Sequence, residues 1–206
     1  MSEPDPSLVI IPGFNGSGPD HWQTLWQAKR PRAARVEQAH WHDPDPDSWT
    51  ATLSATIAAA PGPVILVAHS LGCATVAHWA GRADAGLIDR IAGALLVAPC
   101  DVERPGLPVA IARFAPMPRP VLPFRSTVVA SSNDAYASLD RARDFAAAWG
   151  SAFVDAGPLG HINAASGLGD WPYGEVLLDT LLASANADRS PYRRAAALRA
   201  REVVAA

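Results

Sequence analysis

Three residue types in this chain, placed in the order Ser70, Asp134 and His161, have the chemistry needed to form and break a covalent bond at a serine oxygen. The run Val64-Ile65-Leu66-Val67-Ala68-His69-Ser70-Leu71-Gly72 reads as an apolar strand ending abruptly in a serine flanked by small residues. A strand that turns sharply into a helix, with its hydroxyl clear of the sheet, needs small residues two before and two after that serine. Ala68 and Gly72 stand there, Ala68 replacing the usual glycine with the smallest possible side chain. The competing reading makes Ser70 only the cap of the helix that follows.

A serine hydroxyl is a poor nucleophile at neutral pH, so it needs a base to take its proton and an acid to orient that base. Of the six histidines, only His161 lies late in the chain on a loop after the last expected strand, in Gly157-Pro158-Leu159-Gly160-His161-Ile162-Asn163. Nucleophile, acid and histidine in that chain order match a known arrangement of the three groups. Asp134, in Ser131-Ser132-Asn133-Asp134-Ala135-Tyr136, directly follows an expected strand and is the chosen acid, with Asp101 and Asp155 as rivals. An aspartate that only opens a turn is the alternative for all three.

Stabilising a tetrahedral oxyanion takes two converging backbone amides, one after the nucleophile and one after the first strand. Leu71 supplies the first and Phe14 the second, with Asn15 as fallback, on the loop Pro12-Gly13-Phe14-Asn15-Gly16-Ser17-Gly18. Asn15, His69 and Trp22 are the candidate substrate-binding residues, His69 with a packing or hydrogen-bonding role beside the serine. Trp26 and Trp171 are further candidates for pocket walls, while most of the seven tryptophans belong to packing. The glycine spacing fits neither a phosphate-binding loop nor a dinucleotide fingerprint, so no cofactor is expected. His40-Trp41-His42-Asp43 resembles a metal-ligand cluster, but no further cluster at ligand spacing supports it, and no metal is expected.

Positioning these residues requires a sheet edge. Short Val- and Ile-rich runs alternate with longer helical stretches, the pattern of a mostly parallel sheet covered by helices on both faces. Strands are expected at 8–11, 35–38, 64–67, 92–98, 126–130 and 152–154, and helices at 20–30, 48–59 with Ser48 as cap, 71–82, 139–149 and 175–185. The segment 101–124 carries Pro105, Pro108, Pro116, Pro118, Pro120 and Pro123 and cannot be regular throughout; it is either a short lid or a stiff connection. The expected organisation is a tail at 1–7, a single domain at 8–185 and a helical extension or tail at 186–206, where Arg189, Arg193, Arg194, Arg199 and Arg201 lie among alanines.

The 206 residues suffice for one substantial core. With 49% hydrophobic and 18% charged residues and a formal net charge of −3, the chain has no basic surface to attract nucleic acid or anionic membrane. Its polar, acidic start and lack of a long apolar run lead to the expectation of a cytoplasmic protein with no membrane association. Cys73 and Cys100 are expected to be free and buried.

Taken together, Pro12 to Gly18 with His21-Trp22, Ala68 to Gly72, Ser131 to Tyr136 and Gly160 to Asn163 give the chain a resemblance to the small serine hydrolases related to retinoblastoma-binding protein 9 and the bacterial YdeN proteins, over approximately residues 8–183. The resemblance implies a compact α/β-hydrolase fold with minimal cap, and carries the nucleophile onto Ser70, the acid onto Asp134 and the base onto His161. The vertebrate protein is named for a partner bound through L-x-C-x-E. Here Leu71-Gly72-Cys73 is followed by Ala74-Thr75, so that partner is not carried over.

The leading expectation is a cofactor-independent serine hydrolase acting on a small-molecule ester, or an amide or thioester, through an acyl enzyme. The alternatives are a binding module on the same fold with weak or vestigial activity, and an acyltransferase or peptidase using the same three residues.

Overall fold

The computed structural model describes residues 6–188. In chain order they form β1 (Ser7–Ile11), α1 (Trp22–Lys29), β2 (Ala33–Arg35), α2 (Pro46–Ala59), β3 (Val64–His69), α3 (Leu71–Ala80) and α4 (Ala85–Ile88), followed by β4 (Ile91–Val97), α5 (Val109–Ala112), β5 (Ser126–Ala130), α6 (Leu139–Trp149), β6 (Ala152–Asp155) and α7 (Pro172–Asp188). All strand pairings are parallel, in the order β2-β1-β3-β4-β5-β6.

Both faces of the central strands are buried, which is why β1, β3 and β4 read as continuous apolar runs and not as alternating ones. The period-2 geometry sends successive side chains to opposite cores. Val9, Ile11, Leu66 and Leu96 join Trp49, Leu53 and Trp79 of α2 and α3 on one face. Leu8, Ile65, Val67 and Leu95 join Trp22, Trp26 and Trp171, with Leu178 of α7, on the other.

The chain leaves β1 in one direction to make β2 and returns on the other side to make β3. The carboxyl ends of β1 and β3 are thus a topological switch point, where open parallel sheets bind ligands. Buried Gln23 of α1 stitches this point together, its Nε2 donating to the carbonyls of Ile11 at 3.2 Å and Val67 at 3.0 Å.

Several boundaries differ from expectation. The edge strand is Ala33–Arg35, before the expected 35–38, because Leu8 pairs with Ala33 and the ladder closes at Val36 N–H to the Ile10 carbonyl, 2.9 Å. Helix α2 begins earlier, with Pro46 in its first turn and Asp45 as cap. The Asp45 carboxylate accepts from Ser48 N–H at 2.9 Å, so Ser48 lies inside the helix. Helix α7 spans Pro172–Asp188 where 175–185 is expected, and β1 already includes Ser7 where 8–11 is expected. The arginine-rich part of the expected extension, 189–206, and the tail residues 1–5 lie outside the described residues.

Candidate active site

The turn between β3 and α3 is strained as an elbow must be: Ser70 has φ 55° and ψ −120°, a combination few non-glycine residues adopt. No side-chain capping bond forms, so the Ser70 hydroxyl is not serving as the helix cap. Close approach is enforced from both sides. A Cβ on Gly72 would lie 2.3 Å from the Ile11 carbonyl oxygen, and one on Gly13 would lie 2.9 Å from the Ser70 Cβ and 3.2 Å from the Leu71 nitrogen.

His161 reaches this hydroxyl from the loop after β6, with Nε2 2.8 Å from Ser70 Oγ. Its Nδ1 stands 2.9 Å from both carboxylate oxygens of Asp134. A carboxylate accepts only, so Nδ1 carries the proton and Nε2 is free to accept from the serine. Asp134 Oδ1 also accepts from the Tyr136 amide at 2.8 Å, and the Tyr136 ring lies against the imidazole with centroids 4.3 Å apart. The turn carrying Asp134 and the loop carrying His161 are joined directly, Gly160 N–H donating to Asn133 Oδ1 at 2.7 Å and Leu159 N–H to Ser131 Oγ at 2.9 Å.

The rival carboxylates are occupied elsewhere. Asp101 accepts from Arg141 and from the Glu103 amide, each at 3.1 Å. Asp155 closes a turn by accepting from Gly157 N–H at 2.9 Å. On the oxyanion side, the Asn15 amide donates to the Trp41 carbonyl at 3.2 Å, whereas the amides of Phe14 and Leu71 have no backbone acceptor among the described residues. Asn15 itself sits at φ 65°, its Oδ1 2.7 Å from His42 Nδ1. His42 and Asp43, part of the metal-like run, thus tie loops together, Asp43 through Arg113 at 2.6 Å.

A cleft of about 310 Å³ opens over Ser70, with Phe14, Leu71, Leu107, Ile111 and Tyr136 among its walls. Leu107 and Ile111 come from the Pro-rich segment, in which Phe114, Met117 and Leu122 are buried. Asn15 and His69 line the cleft, but Trp22 does not. It is 1% exposed and packs against Trp26 and Trp171, so the expectation that Trp22 binds substrate is corrected: its indole belongs to the core. Trp26 and Trp171 are buried with it.

Sequence reasoning overlooked His21, Cys100, Asn163, Ala164 and Ala165 as cleft residues. The signal for His21 was its place one residue before α1, where its Nδ1 accepts from Gln23 N–H at 3.2 Å as the cap. Burial, helped by the charges of Arg35 and His161, lowers the His21 pKa to about 4. His69 is held well below its ordinary value, first by burial and then by the neighbouring His161 and His21. Burial pushes the Cys100 thiol up to about 12, and Cys73 and Cys100 are both free. No group of three or more His, Cys, Asp or Glu side chains placed to hold a metal occurs among the described residues. No described helix is long and apolar enough to cross a membrane.

A six-stranded parallel sheet with helices on both faces and a serine elbow at the switch point defines the α/β-hydrolase class. Within that class the chain belongs to the serine hydrolase family, which it matches over residues 8–180. It is 32% identical to a YdeN-like hydrolase of Pectobacterium atrosepticum, covering 88% of this chain and 92% of that one with a TM-score of 0.77. The ydeN gene product of Bacillus subtilis shares the fold at 21% identity, with 86% and 99% covered and a TM-score of 0.69. Est1E of Butyrivibrio proteoclasticus shares it at 15% identity, with 86% and 89% covered and a TM-score of 0.60. No curated protein matches the chain.

Proposed function

We propose that this serine hydrolase cleaves an uncharged carboxylic ester through an acyl enzyme on Ser70, with His161 as base and Asp134 as its orienting acid. The observation that carries this reading is the unbroken path from Ser70 Oγ to His161 Nε2, 2.8 Å, and from His161 Nδ1 to Asp134, 2.9 Å. Ser70 Oγ attacks the ester carbonyl carbon as its proton passes to His161 Nε2. The resulting oxyanion accepts from the Phe14 and Leu71 amides, and Asp134 stabilises the imidazolium. Collapse breaks the bond to the alcohol oxygen, which leaves with the proton from His161. Water then attacks the acyl carbon, returning a proton through the same nitrogen and releasing the acid.

The cleft bounds the substrate. None of its lining residues is a lysine, arginine, aspartate or glutamate, and its about 310 Å³ is at the small end of ligand pockets. Both features favour a short, uncharged acyl group.

The test combines a fluorophosphonate probe with an activated short-chain ester such as p-nitrophenyl butyrate. Stoichiometric labelling is expected at Ser70 alone, and Ser70→Ala is expected to lose labelling and to lower ester turnover by about 10⁴-fold or more. Undiminished turnover in Ser70→Ala sinks the assignment. A folded wild-type protein that takes up no label favours a binding module instead.

A further inference from the structure

The loop that delivers the base has a strained residue at its centre. Ile162 has φ 47°, a left-handed conformation that a β-branched side chain adopts only when its surroundings impose it. The Ile162 side chain is wholly buried in the core that contains Trp22 and Trp171, so it cannot swing out to relieve the strain.

Two side chains from distant elements grip the carbonyls on either side of this residue. Trp22 Nε1–H of α1 donates to the Ile162 carbonyl at 2.8 Å. His69 Nε2, at the end of β3, stands 2.9 Å from the His161 carbonyl. A carbonyl only accepts, so His69 carries its proton on Nε2 and donates. The local bond from Ile162 N–H to the Leu159 carbonyl, 3.2 Å, would survive many loop conformations. The two long-range bonds would not, because they fix the peptide planes on both sides of the Ile162 Cα, the first of which also adjoins the His161 Cα. The His69 and His161 rings also pack with centroids 4.9 Å apart.

We propose that Trp22 and His69 are positioning residues for the base: they pin the carbonyls of Ile162 and His161 and so hold the strained loop with its imidazole between Ser70 and Asp134. This rests on the catalytic reading given above. Trp22 does not line the cleft, so its loss acts on kcat and not on KM; His69 also lines the cleft, so its part in pinning is read from kcat and the labelling rate. A displacement of about 1 Å at a reacting group costs on the order of 10²-fold in rate.

The test uses the full chain with Trp22→Phe, which keeps an aromatic ring and removes the donor, and the pair His69→Leu and His69→Gln, of which only Gln retains a side-chain N–H. Each is assayed for ester turnover and fluorophosphonate labelling, well below its melting temperature. Trp22→Phe and His69→Leu are expected to lower kcat and the labelling rate by about 10- to 100-fold, Trp22→Phe with KM unchanged, while His69→Gln recovers most of the loss in kcat. If Trp22→Phe fails to fold, the two His69 variants decide. Equal losses in His69→Leu and His69→Gln, a rise confined to KM, or variants that label at the wild-type rate overturn the pinning while leaving the catalytic reading intact. Failure of the wild type to label at Ser70 instead overturns the catalytic reading.

Discussion

Asp101 and Asp134 follow strands at the carboxyl edge of the sheet and Asp155 ends one there, and their neighbours distinguish them. Asp101 faces Arg141, Asp155 closes its own turn onto Gly157, and only Asp134 stands 2.9 Å from an imidazole nitrogen. If Asp134 fixes the imidazole tautomer, Asp134→Asn should lower kcat by about 10³- to 10⁴-fold while the protein stays folded. Asp155→Asn, tested alongside, should change turnover by no more than about twofold, as for an ordinary surface substitution. A steady-state comparison of the two checks the choice, and equal effects would refute it. Ser70, Asp134 and His161 were legible as candidates because residue type, small neighbours and chain order leave few options. The long-range bond of Trp22 was not, because an indole N–H donating to a carbonyl 140 residues away leaves no trace in local sequence.

At the scale of elements, the elbow is built by β1 as much as by β3. Parallel pairing brings Ile11 opposite Ala68, and α3 must then start against the end of β1. That crowding explains why position 72 tolerates no side chain, its Cβ falling 2.3 Å from the Ile11 oxygen. Gly72→Ala is expected to cost about 1–3 kcal/mol or more, as overpacking does, seen as a lower midpoint in urea unfolding with an unchanged slope. A midpoint equal to wild type would show that the contact yields freely. Strand β2 and the start of α2 were misplaced by sequence reasoning for the same kind of reason. An edge strand of three residues is defined by its partner β1 and not by its own pattern, and Asp45 outcompetes Ser48 as cap because Pro46 suits the first turn of the helix. The Pro-rich segment sends Ile111, Phe114, Met117 and Leu122 into the core and lines the cleft with Leu107 and Ile111. Arg141 of α6, bridged to both Asp101 and Glu103, ties the start of that segment to the body of the fold.

For the whole molecule, two apolar cores sandwich the sheet, and the price of crowding the active site against one of them is a set of histidines kept from protonating. His21 is 4% exposed and titrates near pH 4 in the fold, against about 6.5 when unfolded. Between those values the unfolded chain binds a proton that the folded one refuses, so stability falls as pH drops from about 6.5 to 4, by up to about 3 kcal/mol for this group. Below pH 4 both states are protonated and this contribution stops changing. Buried His69, also held low, acts in the same direction. Urea melts across pH 4–7 should show this slope, and His21→Asn, which keeps a capping side chain but does not titrate, should flatten it. Identical slopes in the two proteins would place the acid sensitivity elsewhere.

The alternation of β-rich apolar runs with helical stretches, the small residues about Ser70 and the order of serine, aspartate and histidine belong to the sequence itself, because they arise from local sterics and from which side chains can carry a proton. Tertiary structure alone decided that Asp134 and not Asp101 meets His161, that Trp22 faces the core and donates to the Ile162 carbonyl, and that Ile111 of α5 lines the cleft. Those outcomes depend on contacts between residues tens of positions apart, and only the closing of the sheet and the packing of α1 and the Pro-rich segment onto it bring such residues together.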